Sequence, residues 1–113
     1  MDDRLPAHLE VTGLIRAAEA AGGFGTVLSK GEKHAGTLLV VCCHKGTQAR
    51  AYERMPRADG TRGWALSKSQ DPENPFEFSE YCDRRAGQDR DLWIVELDHE
   101  DAERLLDPDL AVN

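Results

Sequence analysis

A chain of 113 residues can bury one hydrophobic core but not two, so a single domain over 1–113 is expected. With 40% apolar and 31% charged residues it has the composition of a folded soluble protein, which excludes wholesale disorder, and no run approaches the roughly 20 apolar residues that span a bilayer. The net charge of −7 opposes a polyphosphate partner such as nucleic acid, most strongly near the C-terminus, where Glu96, Asp98, Glu100, Asp101, Glu103, Asp107 and Asp109 are offset only by Arg104.

The first residues, Met1 to Leu14, carry Asp2, Asp3 and Glu10 where a secretory leader would be basic and then apolar, so a cytoplasmic setting is expected. Val11, Leu14, Ile15, Ala18 and Ala21 recur at spacings of three and four, which predicts a helix over Glu10 to Ala21. Gly22-Gly23 ends it, because glycine takes the left-handed conformation without a side-chain clash.

Phe24 to Lys30 reads as a first strand, and Gly31 to Gly36 as the loop that reverses the chain into a second, Thr37 to His44. Leu38 to Cys43 are apolar at six consecutive positions, so both faces must be covered and this strand belongs in the middle of the sheet. Lys45-Gly46 makes a tight turn into Thr47 to Arg54, where polar Gln48, Arg50, Tyr52 and Arg54 alternate with Ala49 and Ala51. A loop over Met55 to Gly63 leads to a short strand, Trp64 to Ser67, and the four strands together read as a meander.

Ser69 to Pro75 is a polar connector. Asn74-Pro75 resembles a cap with proline in the first turn of a second helix, whose Phe78, Tyr81, Cys82 and Arg85 share a face and which ends near Gly87 to Asp89. Asp91 to Leu97 is the last strand, apolar on both faces at Leu92 to Val95 and therefore also central. Asp98 can cap a short final helix, Glu100 to Leu106, stopped before Pro108, with 107–113 a frayed tail. The order α-β-β-β-β-α-β-α predicts an α+β domain: a mostly antiparallel five-stranded sheet packed with two main helices and a short C-terminal one. The last strand, returning through a crossover helix, can pair in parallel and make the sheet mixed.

Several residue groups invite chemical readings. Cys42 and His44 lie two apart on a strand and point to one face, where a metal or thiol site could form with Cys82 as a further ligand, while Cys43 points away. An apolar run favours thiols that are buried and unreactive, and three cysteines without a regular framework fit a reducing compartment. Glu77, Glu80 and Asp83 with Arg84-Arg85 read as the wet face of a helix. The glycine-rich stretches 22–25 and 31–36 read as cap and hairpin, since neither opens a strong helix as a phosphate loop does. Arg50, Arg54, Arg57, Arg62 and Lys68 cluster in the middle of the chain, and Trp64 on a short outer strand is the aromatic placed for an exposed contact, Trp93 the one placed in the core.

The helix around Leu14-Ile15-Arg16, Gly23-Phe24 into Val27, Lys30-Gly31-Glu32 with Ala35-Gly36, and Asp91 to Glu96 together resemble a small bacterial family known as a domain of unknown function, DUF1491-like. The resemblance spans nearly the whole chain and implies an α+β domain in a bacterial cytosol. It brings no catalytic motif, activity or cofactor, and Cys42, Cys43 and His44 stand outside it.

The function expected from the sequence is a small non-enzymatic binding or adaptor domain, without cofactor, that presents Arg50, Tyr52, Arg54 and Trp64 to a protein or a small anionic ligand. Two alternatives stand beside it: a thiol- or metal-dependent enzyme using Cys42 and His44, and a self-associating protein that pairs through an outer strand as a homodimer rather than a monomer.

Overall fold

The computed structural model describes residues 5–107 and Leu110. It has the expected order: α1 (Ala7–Ala20), β1 (Phe24–Ser29), β2 (Leu38–His44), β3 (Thr47–Pro56), β4 (Arg62–Ser69), α2 (Phe76–Gln88), β5 (Trp93–Asp98) and α3 (Ala102–Leu106). The chain is an α+β domain built on one mixed five-stranded sheet.

The strand order is β1-β5-β2-β3-β4, which corrects the expected four-strand meander. Only β2, β3 and β4 form consecutive hairpins; β5 lies between β1 and β2, antiparallel to the first and parallel to the second. The physical reason lies in β5 itself. Trp93 to Val95 are buried on both faces, and such a strand needs a neighbour on each side as well as cover above and below. The loop at 31–36 accordingly wraps the entry to β5 instead of closing a hairpin. The Glu32 amide donates to the Asp91 carbonyl, the Trp93 amide to the Thr37 carbonyl, and the Trp93 indole to the Glu32 carbonyl at 2.7 Å. A Cβ at Gly31 or Gly36 would stand 2.3 or 2.4 Å from the Asp91 carbonyl oxygen, so glycine is required by close approach.

Helix α1 begins three residues before the predicted start. Pro6 precedes it, and the Ala7 and His8 amides donate to the carbonyls of His34 and Lys33, so the same loop caps the helix. Asn74 contributes its carbonyl to the start of α2, with no side-chain cap, and Asp101 instead of Asp98 precedes α3. Asp98 ends β5, where its carboxylate accepts the Lys45 and Gly46 amides at 2.7 and 3.1 Å and clamps the β2–β3 turn. The β3–β4 hairpin is longer than expected, with Pro56 opposite Arg62 and only a tight turn between them. Of the predicted tail, Asp107 pairs with Arg57 and Leu110 packs on the core; Pro108, Asp109 and 111–113 lie outside the described residues.

The sheet separates two apolar layers. Leu38, Val40, Cys42, Tyr52, Trp93, Val95 and Leu97 face α1 and α3; Leu39, Val41, Cys43, Ala51 and Ile94 face α2. The alternation along β2 therefore sends Cys42 and Cys43 into different layers, as strand geometry demands. No helix among the described residues is long and apolar enough to cross a membrane.

Candidate functional site

The four residues expected to bind a partner do come together on the α1/α3 face, and the structure gives each an internal role. Arg50, Tyr52 and Arg54 alternate along β3, and Trp64 pairs across from Arg54 on β4. The Arg50 guanidinium forms a two-pronged pair with Glu103 of α3, Nη2 standing 2.9 Å from Oε1, and the Tyr52 hydroxyl donates to the same carboxylate at 2.9 Å. Glu103 is 1% exposed. Burial alone would raise its pKa, but the hydrogen bonds from Arg50 and Tyr52 outweigh that and hold the carboxyl below its ordinary range. Burial, with the bond to Glu103, pushes Tyr52 up to about 12. Arg54 pairs with Glu10 of α1 at 2.6 Å and lies over the Trp64 ring, 4.5 Å from its centroid. The arginines of β3 thus fasten α3 and α1 to the sheet.

The thiols are buried in both layers. Cys42 sits in the α1/α3 layer, Cys43 and Cys82 in the α2 layer, and the pairing of β2 with β3 shifts between Cys42 and His44. Burial raises all three thiol pKa values, that of Cys43 to about 12, so each is protonated at neutral pH and poor as a nucleophile. Among the described residues, the group whose ligand atoms lie within 4.8 Å of one another is Cys43, Glu96 and Asp98, which does not include Cys42 or His44. The parallel register brings it together: Cys43 lies opposite Asp98, and Glu96 precedes Asp98 by two on the same face.

The glycine-rich loop holds an anion of its own. The Glu32 carboxylate accepts the His34 and Ala35 amides, and those bonds lower its pKa. On α2, Arg85 reaches Glu53 of β3 and the Tyr81 hydroxyl, and Glu77 pairs with Lys68 of β4 at 2.8 Å. The charges of that helix therefore tie it to β3 and β4, at one end of the sheet.

The other end stays open. Between α2 and the sheet lies a cleft of about 500 Å³. Val41, Cys43, Ala49 and Ile94 form its floor, Phe78, Cys82 and Ala86 its roof, and Leu28 and Ser29 of β1 its mouth. The polar groups lining it include Gln70, Ser79, Asp83 and Glu96. The Glu96 carboxylate accepts no hydrogen bond and forms no ion pair among the described residues; burial first, and the neighbouring Asp98 second, raise its pKa. An apolar cavity with a few convergent polar groups, one of them a half-buried carboxylate of raised pKa, has the make-up of a ligand site. The sequence carried one signal for it: Ile94, Glu96 and Asp98 alternate on one face of a strand whose other face is wholly apolar.

Comparison with known proteins places the chain among structures of the same fold. A crystal structure of a DUF1491 family protein from Caulobacter crescentus CB15 aligns with TM-score 0.78 and 33% identity, over 92% of this chain and 96% of that one. An NMR structure of a DUF1491 family protein from the same organism aligns with TM-score 0.73 and 34% identity, over 91% and 93%. The solution structure of protein Atu0922 from A. tumefaciens aligns with TM-score 0.72 and 28% identity, over 91% and 92%. Comparison with curated proteins gives no match. The family model for "Protein of unknown function (DUF1491)" matches residues 5–107, and the chain belongs to the DUF1491 family.

Proposed function

We propose that this chain is a non-enzymatic binding domain whose ligand enters the cleft between α2 and the sheet. The observation that carries the reading is the cleft itself: about 500 Å³ of largely apolar space containing Glu96, a carboxylate that meets no cation among the described residues. A ligand with an apolar body and a positive group satisfies both features. The expected anionic ligand at Arg50 and Arg54 has less support, because both guanidinium groups are already paired with Glu103 and Glu10. Thiol catalysis has little support where the three thiols are buried and held protonated. The same free thiols support a cytoplasmic setting.

The test uses two small phenyl-bearing probes of opposite charge and similar apolar size, phenethylamine and phenylacetate, titrated into isotope-labelled protein and followed by amide chemical shifts. Phenethylamine is expected to move Phe78, Cys82, Ile94 and Glu96, phenylacetate to leave them in place, and Ala86→Trp, which fills the cleft, to abolish the response. Shifts confined to Arg54 and Trp64, or none in the cleft with either probe, overturn the reading.

A further inference from the structure

The mouth of the cleft coincides with the open edge of the sheet. Strand β1 is an outer strand, paired only with β5. Its pattern of exposure is unusual for a strand that ends a stable sheet: Phe24, Thr26, Val27 and Leu28 are exposed, Phe24 at 70% and Leu28 at 49%.

Proteins blunt exposed edges with charged side chains or proline, which prevent another strand from adding. The opposite edge follows that rule, since β4 carries Arg62 and Lys68. Strand β1, Phe-Gly-Thr-Val-Leu-Ser, carries neither a charge nor a proline. Its one irregularity is the register shift between Val27 and Ser29, and Leu28, the residue in that shift, lines the cleft. The edge is thus unprotected beside a cavity.

The register defines what an added strand would meet. Phe24 lies opposite Asp98 and Thr26 opposite Glu96, so these four residues share the α2 side of the sheet. A strand laid along the free edge of β1 sits about 10 Å from β5, two strand spacings away, and alternate side chains project to that same side. A lysine or arginine there reaches across β1 toward Glu96 and Asp98, with Asp83 of α2 above. Among the described residues Glu96 pairs with no cation, and its neighbours Asp98, Asp83, Cys43 and Cys82 supply none. A second copy of this chain is a poor occupant: each copy bears a net charge of −7, and its β1 offers no cation to the cleft.

We infer that the occupant is an extended basic segment of a partner protein, which adds as a further strand along β1 and directs a lysine or arginine side chain to Glu96. This inference rests on the cleft being the binding site. Backbone hydrogen bonds along β1 supply sequence-independent affinity, and the acidic cleft supplies the selection for a cation at alternating positions.

The experiment is selection from a random-peptide display library on the intact chain, followed by synthesis of the enriched peptide and titration into labelled protein. Enriched sequences are expected to be β-branched with lysine or arginine at alternate positions, and to perturb the amides of Phe24 to Ser29 together with Glu96. Glu96→Gln, at a half-buried cleft position, and Thr26→Lys, at an exposed one, are expected to weaken binding about tenfold or more, while Arg54→Ala leaves it unchanged. Four outcomes overturn the inference: no enrichment, binding indifferent to Glu96→Gln, a concentration-dependent dimer formed through β1, or zinc chloride alone occupying Cys43, Glu96 and Asp98 and displacing the peptide. Phenethylamine binding in the cleft without peptide enrichment removes the inference and keeps the cleft as the site. Failure of both probes removes both.

Discussion

Replacing Arg50 by methionine would test the account of the buried triad most directly. Methionine keeps the length and apolar stem of the arginine but removes the cation that pairs with Glu103, whose side chain is 1% exposed. A carboxylate stripped of its partner inside a protein costs about 3–5 kcal/mol, because the desolvation it suffered on burial is no longer offset. At about 4 °C per kcal/mol for a domain near this size, the thermal midpoint at neutral pH is expected to fall by roughly 12–20 °C. The pH dependence supplies the sign. In the native chain Glu103 lies below its ordinary pKa, so its contribution is present above the unfolded value and is lost as pH falls through the folded one. In Arg50→Met the burial contribution stands with Tyr52 and the residue's own backbone amide against it but no cation, and the carboxyl becomes easier to protonate; the gap between variant and parent must therefore narrow on acidification toward about pH 4. The double variant Arg50→Met/Glu103→Leu, which replaces the pair by apolar groups, is expected to recover to within about 1.5 kcal/mol of the parent. Thermal and urea unfolding followed by circular dichroism at several pH values measure all three. A single-variant loss below about 1 kcal/mol that stays constant with pH would refute the reasoning.

Other consequences can be checked on the same material. Glu96→Gln should raise the thermal midpoint at neutral pH: a carboxyl whose folded pKa lies above its unfolded one loses stability as pH rises between the two, and the gain should vanish in acid where both forms are neutral. Gly36→Ala should cost about 1–3 kcal/mol, since the new methyl meets the carbonyl oxygens of Asp91 and Glu32 at 2.4 and 2.6 Å, and altered Trp93 fluorescence would report the displaced loop. Cys42, fully buried in the layer away from the cleft, should react with a disulfide reagent only on the timescale of unfolding, and its rapid titration in the native protein would contradict that burial.

What could be read from residues alone was local. Leu38 to Cys43 and Leu92 to Val95 are apolar without interruption, and both strands lie at the centre of the sheet as such runs require. The neighbour of β1 was not legible, because Phe24 to Ser29 would pair equally well with any strand; β5 is chosen by burial of Trp93 and by the loop folded over it, whose Glu32 carbonyl accepts the Trp93 indole across a separation of 61 residues. Glu103 looked like one charge in an acidic run, and only its partner 53 residues earlier makes it a buried one. The cleft was hidden for the same reason: Cys43, Glu96 and Asp98 meet through the register of β2 with β5, whereas reading one strand at a time directs attention to Cys42 and His44.

The insertion of β5 between β1 and β2 also sets the order in which the molecule can be completed during synthesis. While the chain is made from its N-terminus, β2, β3 and β4 can close as hairpins soon after they emerge, but β1 has no neighbour until Trp93 to Asp98 have been added. For most of translation β1 is a strand in waiting, held near the hairpins only by its connections. An interior position of the sheet is filled by the last of its strands in sequence, so a ribosome-bound fragment ending before Leu92 lacks the strand that joins its two parts. Closure of this domain is therefore a long-range event, and its rate should follow the slow formation of contacts distant in sequence more than the fast formation of the hairpins.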